Sequence, residues 1–140
     1  MSEINLKGSC LCGSVAYELN ADTTEHAPKF WHCHCQRCRK ASGTGHASLI
    51  IIGRASLEWK KGEDCLTRYK VPEAERFATC FCKNCGSALP RYDEKSGRAV
   101  IPAGSLDHEL DIKPEARIFW DSRAEWSCAD DLPAFAEYPE

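Results

Sequence analysis

Long apolar runs are missing from this chain: the longest, Leu49–Ile52, has four residues, far short of the roughly 20 that a membrane helix needs. The opening Met1-Ser2-Glu3-Ile4-Asn5-Leu6-Lys7 lacks the apolar core of a secretory signal. A reducing cytoplasm is therefore the expected location, with no membrane partner. A dominant charge is missing as well. Lys and Arg number 18 against 21 Asp and Glu, a formal −3, which argues against a broad phosphate-binding face and against nucleic acid as a partner. Aromatic residues make up only 9% of the chain, and Trp31, Trp59, Trp120 and Trp126 are expected in the core or in pocket walls rather than on a base-stacking platform. Sustained helical periodicity is also absent.

Cysteine, by contrast, is abundant, at ten in 140 residues. Such richness fits either a disulfide scaffold or metal binding, and in a reducing compartment clustered cysteines read as metal ligands. The spacing supports the second reading. Cys33, Cys35 and Cys38 lie within His32-Cys33-His34-Cys35-Gln36-Arg37-Cys38-Arg39-Lys40, with Cys10-Leu11-Cys12 upstream and Cys82-Lys83-Asn84-Cys85-Gly86 downstream. An extended Cys-X-Cys sends both side chains to one face, and a Cys-X-X-Cys turn brings two sulfurs within reach of one zinc at about 2.3 Å.

Spacing alone leaves open which thiols share a metal, because Cys80-Phe81-Cys82-Lys83-Asn84-Cys85 repeats the pattern of Cys33, Cys35 and Cys38. We pair Cys10 and Cys12 with Cys82 and Cys85, whose turn is followed by Gly86, a residue that readily takes a left-handed conformation. Cys33, Cys35 and Cys38 then form a second site one ligand short. A four-thiolate zinc is closed and structural, whereas a zinc with three protein ligands keeps a position for water or substrate. Two zinc ions per chain are expected. Cys80, Cys65 and Cys128 are read as small buried apolar residues.

The fold class expected is mainly β in a single domain over residues 1–140, with antiparallel sheets in a zinc-stabilised sandwich or irregular barrel and little helix. Val15, Tyr17 and Leu19 alternate onto one face of a strand over Gly13 to Leu19, and Ala47 to Ile52 reads as a buried strand. Ser56 to Lys60 and Cys65 to Val71 flank Lys61-Gly62-Glu63-Asp64 as a hairpin. Ser87 to Tyr92 and Arg98 to Ala103 flank Asp93-Glu94-Lys95-Ser96-Gly97 in the same way. Short helical turns are expected at Arg37 to Ser42 and from Asp130-Asp131-Leu132-Pro133.

The three cysteine motifs, in this order, resemble those of the glutathione-dependent formaldehyde-activating enzyme-like family, whose fold is Mss4-like. Further segments resemble it too: Pro102-Ala103-Gly104-Ser105-Leu106-Asp107, Ile118-Phe119-Trp120-Asp121-Ser122-Arg123-Ala124-Glu125-Trp126 and Leu132-Pro133-Ala134-Phe135. The resemblance implies a structural zinc at Cys10, Cys12, Cys82 and Cys85, and a second zinc at Cys33, Cys35 and Cys38. It also implies carbon-sulfur lyase chemistry on a thiol-aldehyde adduct, with glutathione or another small thiol and an aldehyde such as formaldehyde as partners. A hemithioacetal forms from a deprotonated sulfur and a polarised carbonyl, and a thiol reaching an open zinc position would ionise near neutral pH. His34, between two ligands, is read either as a proton-transfer group or as a structural neighbour of the metal; His32 and His46 are weaker candidates. Arg37, Arg39 and Lys40 are candidate contacts for glutathione carboxylates, or a solvated basic turn. The competing reading is a non-catalytic zinc-stabilised binding module, in which Cys80 or a histidine closes the second site.

Overall fold

The protein is represented by a computed structural model that describes residues 3–127 and 130–139. Ten strands and one short helix follow in the order β1 (Glu3–Ser9), β2 (Ala16–Asp22), β3 (Lys29–Cys33), α1 (Gln36–Ser42), β4 (Ala47–Ile52), β5 (Ser56–Lys61), β6 (Leu66–Lys70), β7 (Ala78–Cys82), β8 (Arg91–Asp93), β9 (Arg98–Pro102) and β10 (Ala116–Ile118). They form a three-stranded sheet β1-β2-β5, a five-stranded sheet β10-β3-β4-β9-β8 and the ribbon β6-β7. The mainly β architecture with little helix is as the sequence indicates. The sheets do not close into a barrel.

Alternation builds the core. Val15, Tyr17 and Leu19 are all buried, as their spacing predicts, and they meet Leu6 from β1, Ile50 and Ile52 from β4, and Ile101 from β9. Removing these side chains from water is the main driving force that brings the sheets together, worth about 1.5–3 kcal/mol for each fully buried aliphatic side chain. Cys10, Cys80 and Cys82 belong to this core, so Cys10 and Cys82 are embedded in it while Cys12 is exposed and Cys85 half-buried. Tyr17 donates its hydroxyl to Ser105 Oγ at 2.6 Å, and that serine donates in turn to the Pro102 carbonyl at 2.7 Å. The buried phenol is thereby satisfied.

Several sequence expectations need correction. Strand β4 occupies the segment expected, and α1 begins one residue before Arg37, but β5 and β6 are not a hairpin. Strand β5 pairs with β2, bringing Trp59 opposite Tyr17 and Leu57 opposite Leu19, whereas β6 pairs with β7. Burying Leu57 and Trp59 on the shared core outweighs the local turn, and the chain leaves β5 through Gly62 at φ +77°. There a Cβ would lie 2.0 Å from the Ser14 carbonyl oxygen, so only glycine fits.

The expected strand Ser87 to Tyr92 is reduced to β8, because Pro90 has no N–H to give to a ladder; the hairpin of β8 with β9 does form. Strand β10 pairs in parallel with β3, so the sheet is mixed rather than purely antiparallel. Asp130 and Asp131 form a turn and Leu132 and Pro133 are irregular, so the expected helix is absent. With Leu132 exposed, that helix would have no buried apolar face to stabilise it. Trp59 packs on the core, and Trp31 and Trp120 are half-buried. Trp126, in contrast to expectation, is 67% exposed.

Candidate metal centres and the adjoining cleft

Two turns build the first thiol cluster. The chain leaving β1 doubles back at Cys10, whose amide donates to the Val15 carbonyl while the Gly13 amide donates to the Cys10 carbonyl, each at 3.1 Å. At the end of β7, the Gly86 amide donates to the Cys82 carbonyl at 2.7 Å, with Gly86 at φ +76° as the knuckle requires. The sulfurs of Cys10 and Cys12 lie 3.7 Å apart, and those of Cys12 and Cys82 3.9 Å. Tetrahedral zinc with 2.3 Å bonds to sulfur has sulfur–sulfur edges of about 3.8 Å, so the donor set fits that ion. All four sulfurs, Cys85 included, lie within 4.8 Å of one another.

Hydrogen bonds aimed at sulfur prepare this cluster for a cation. The Val15 amide donates to Cys10 Sγ at 3.3 Å, and Cys85 Sγ lies 3.2 Å from the Ser87 hydroxyl. The Ser87 side chain and amide, joined by the Cys12 backbone, bring the Cys85 thiol down to about 5. A thiolate is the form that binds metal.

The second cluster is assembled locally. Cys33 ends β3, Cys35 is the N-cap of α1, and Cys38 lies one turn later, where its amide donates to Cys35 Sγ at 3.3 Å. The three sulfurs lie within 4.8 Å of one another, and among the described residues no histidine, carboxylate or further cysteine joins them. Burial, then the neighbouring sulfurs, pushes the Cys38 thiol up. Burial opposes ionisation of Cys35 too, but hydrogen bonds from the Cys38 amide and the two neighbouring thiols outweigh it and lower its pKa. Cys33 and Cys38 are buried, and Cys35 is half-buried.

The C-terminal part of the chain braces this loop from behind. The His34 amide donates to the Ile118 carbonyl at 2.9 Å, extending the β3–β10 pairing, and Arg39 Nη1 donates to the Ser122 carbonyl at 3.0 Å. The His34 ring is 1% exposed and stands edge-on to Trp120, centroids 5.0 Å apart, with His46 on another side at 5.1 Å. Among the described residues neither ring nitrogen has a hydrogen-bond partner of good geometry, although the Gly45 backbone lies close enough to favour the charged ring. Burial lowers the pKa of His34, as do the charges of His46, Arg117 and Arg123. His46 stacks on His32 at 3.9 Å. Trp120 also carries cations: Arg117 and Arg123 lie over its ring at 5.0 and 4.4 Å.

A cleft of about 1200 Å³ opens beside Cys38, walled by α1, β4 and the β6-β7 ribbon. Of the three cations next to the second cluster, Arg37 and Lys40 line it, whereas Arg39 is turned toward Ser122. Cys80 is buried and contributes to the cleft wall, and Cys65 is half-buried beside the core. Cys128 lies outside the described residues. The cleft-lining Arg91 escapes a sequence reading, and Trp120, expected only in the core or a pocket wall, is not tied to His34 by the sequence. Neither lies in a cysteine motif, and only the tertiary fold brings them near.

Comparison with known proteins adds two likenesses. A family model described as glutathione-dependent formaldehyde-activating enzyme matches residues 5–122. Among solved structures, that of a Rhodobacter sphaeroides protein aligns with 80% of this chain and 99% of its own at a TM-score of 0.53 and 20% identity, a likeness of fold. No curated protein matches the chain.

Proposed function

This chain belongs to the glutathione-dependent formaldehyde-activating enzyme family, and from that premise we propose that it is a zinc-dependent enzyme of carbon–sulfur lyase type. Its substrate is the adduct of a small thiol, glutathione foremost, with an aldehyde such as formaldehyde. The observation that carries this reading is the inequality of the two clusters: four sulfurs converge in one, three in the other. A binding module that used both metals structurally would need a fourth donor at Cys33, Cys35 and Cys38, and the described residues bring neither Cys80 nor a histidine there.

In the synthetic direction the thiol sulfur adds to the carbonyl carbon, the carbon–oxygen π bond breaks, and the thiol proton ends on oxygen; the lyase direction reverses each change. Zinc held by Cys33, Cys35 and Cys38 would supply a Lewis acid that lowers the pKa of an incoming thiol. Cys35 is the most accessible of these ligands, and Cys38, which lines the cleft, marks the side from which substrate arrives. Arg37 and Lys40 set positive charge along the cleft, where a glutathione carboxylate can pair with it. Buried His34 holds the ligand loop against Trp120 and His46. The proposed place of action is the reducing cytoplasm, where free thiols persist; among the described residues no helix is long and apolar enough to cross a membrane.

The test is exchange spectroscopy of glutathione and formaldehyde near equilibrium, because the two also combine unaided. Wild type should speed exchange between free thiol and adduct, and Cys35→Ser should lose that gain while remaining folded. Equal exchange rates with wild type, Cys35→Ser and no protein would remove this pair as substrate.

A further inference from the structure

Arg91 occupies an unusual position for a cation. It opens β8, is half-buried, and lines the same cleft as Cys38, Arg37 and Lys40. Its Nη1 donates to the Ala78 carbonyl at 2.9 Å, and its guanidinium lies 5.3 Å from the centre of the Phe77 ring. These two contacts hold the plane of the group. Among the described residues, however, no carboxylate forms an ion pair with it; the acid in the cleft lining, Glu73, is exposed on the loop between β6 and β7 and does not reach it.

A guanidinium has five N–H donors, and one hydrogen bond to a carbonyl leaves most of the fork free. Withdrawing such a charge from water is costly unless an anion meets it. The neighbouring cations Arg68 and Arg98 add to that cost, whereas thiolates at Cys38 and Cys33 favour the charged form. Three thiolates with one divalent cation would leave a single net negative charge, so the ligand cluster would only partly balance Arg91. Its remaining donors are left for whatever enters the cleft.

We propose that Arg91 is the carboxylate-recognition residue of this cleft, and that its fork selects thiols bearing a carboxylate over neutral thiols. The proposal deepens the functional reading above and rests on the thiol binding at the second cluster. It also separates the roles of the cations: Arg37 and Lys40, on the exposed face of α1, attract anions, whereas Arg91, fixed by Ala78 and Phe77, discriminates by geometry.

Calorimetric titration of the zinc-loaded full chain tests this with four probes: glutathione, its diethyl ester, S-methylglutathione and the diethyl ester of that thioether. Wild type should bind each free acid about tenfold or more tightly than its ester, the scale of one charge-assisted hydrogen bond. In Arg91→Met that ratio should fall severalfold, to what the attraction of Arg37 and Lys40 alone supports, with ester binding little changed. Arg91→Lys, which keeps the charge and loses the fork, should retain only part of the ratio, and it serves should the methionine variant fail to fold. Equal binding of acid and ester by wild type, or an unchanged ratio in the folded variants, overturns the proposal, as does a wild type that binds none of the probes. A wild type that prefers acid to ester but binds glutathione no better than S-methylglutathione refutes thiol capture instead while keeping Arg91 as the carboxylate site.

Discussion

Replacing Cys12 by serine and, separately, Cys35 by serine separates the two clusters by their mechanical roles. Cys12 and Cys82 stand 70 residues apart in sequence and 3.9 Å apart at sulfur, so a metal there clips together the β1–β2 turn and the end of β7. Treated as a cross-link, a loop of that length removes about 4.4 kcal/mol of unfolded-chain entropy at 25 °C. Cys33 to Cys38 spans a single turn, and the same relation gives about 2 kcal/mol. The substitutions themselves disturb little else. Cys12 is exposed, and serine at 35 still caps α1 through its side-chain oxygen, as cysteine does through sulfur.

Against a total stability of about 5–15 kcal/mol, losing the longer clip is a large fraction, and losing the shorter one a modest fraction. Urea unfolding of zinc-loaded protein, with metal content measured in parallel, reads the difference. Wild type should carry two zinc ions and each variant one. With a slope of about 2 kcal/mol per molar urea, the midpoint should fall by about 2 M for Cys12→Ser and by about 1 M or less for Cys35→Ser. Equal losses, or a single zinc in fully loaded wild type, would refute the division into a closed and an open site.

Two further outcomes follow from the packing. Burial pushes the Tyr17 phenol up to about 12 from an ordinary 10, the nearby Asp107 charge adding to it and the Ser105 hydrogen bond opposing, so between these values the unfolded chain ionises first and binds fewer protons than the native state. Stability is then full below pH 10 and should decline toward pH 12 by on the order of 2 kcal/mol relative to Tyr17→Phe; a pH-independent difference between the two in urea titrations would refute it. Gly62→Ala places a Cβ 2.0 Å from the Ser14 carbonyl at a φ of +77°, so a loss of at least about 2 kcal/mol is expected, and a melting temperature within about 2 °C of wild type would contradict the geometry.

The parts of this protein that were legible in its sequence are those in which neighbours in the chain decide the outcome. Cys-X-Cys and Cys-X-X-Cys fix their own sulfur separations, and the segment Ala47–Ile52, with its apolar run Leu49–Ile52, is a strand wherever it pairs. Residues whose role depends on distant chain were not legible. Lys61 to Asp64 carries a turn signal, yet β5 and β6 part there because Leu57 and Trp59 find a better partner in β2. The expectation of antiparallel sheets missed β10, whose three residues are too few to signal a strand and gain their place by pairing with β3. Arg91 carried no motif, and Trp120, although within a segment that resembles the family, was not tied to His34 by the sequence. Their meaning arises from the two faces of the second cluster, one braced by the C-terminal segment and the other opening into the cleft.

The parallel contact between β10 and β3 also imposes an order on biogenesis. On a growing chain, the four thiols of the closed cluster are all present once Cys85 has emerged, but the loop bearing Cys33, Cys35 and Cys38 waits for Ile118, Trp120 and Ser122 before its rear wall exists. Chains emerge at about 5–20 residues per second, so a pause of a few seconds separates the two events. During it the nascent protein has the whole four-thiol cluster but not the rear wall of the three-thiol loop, and a truncation that stops short of β10 would leave the first without the support that shapes the second.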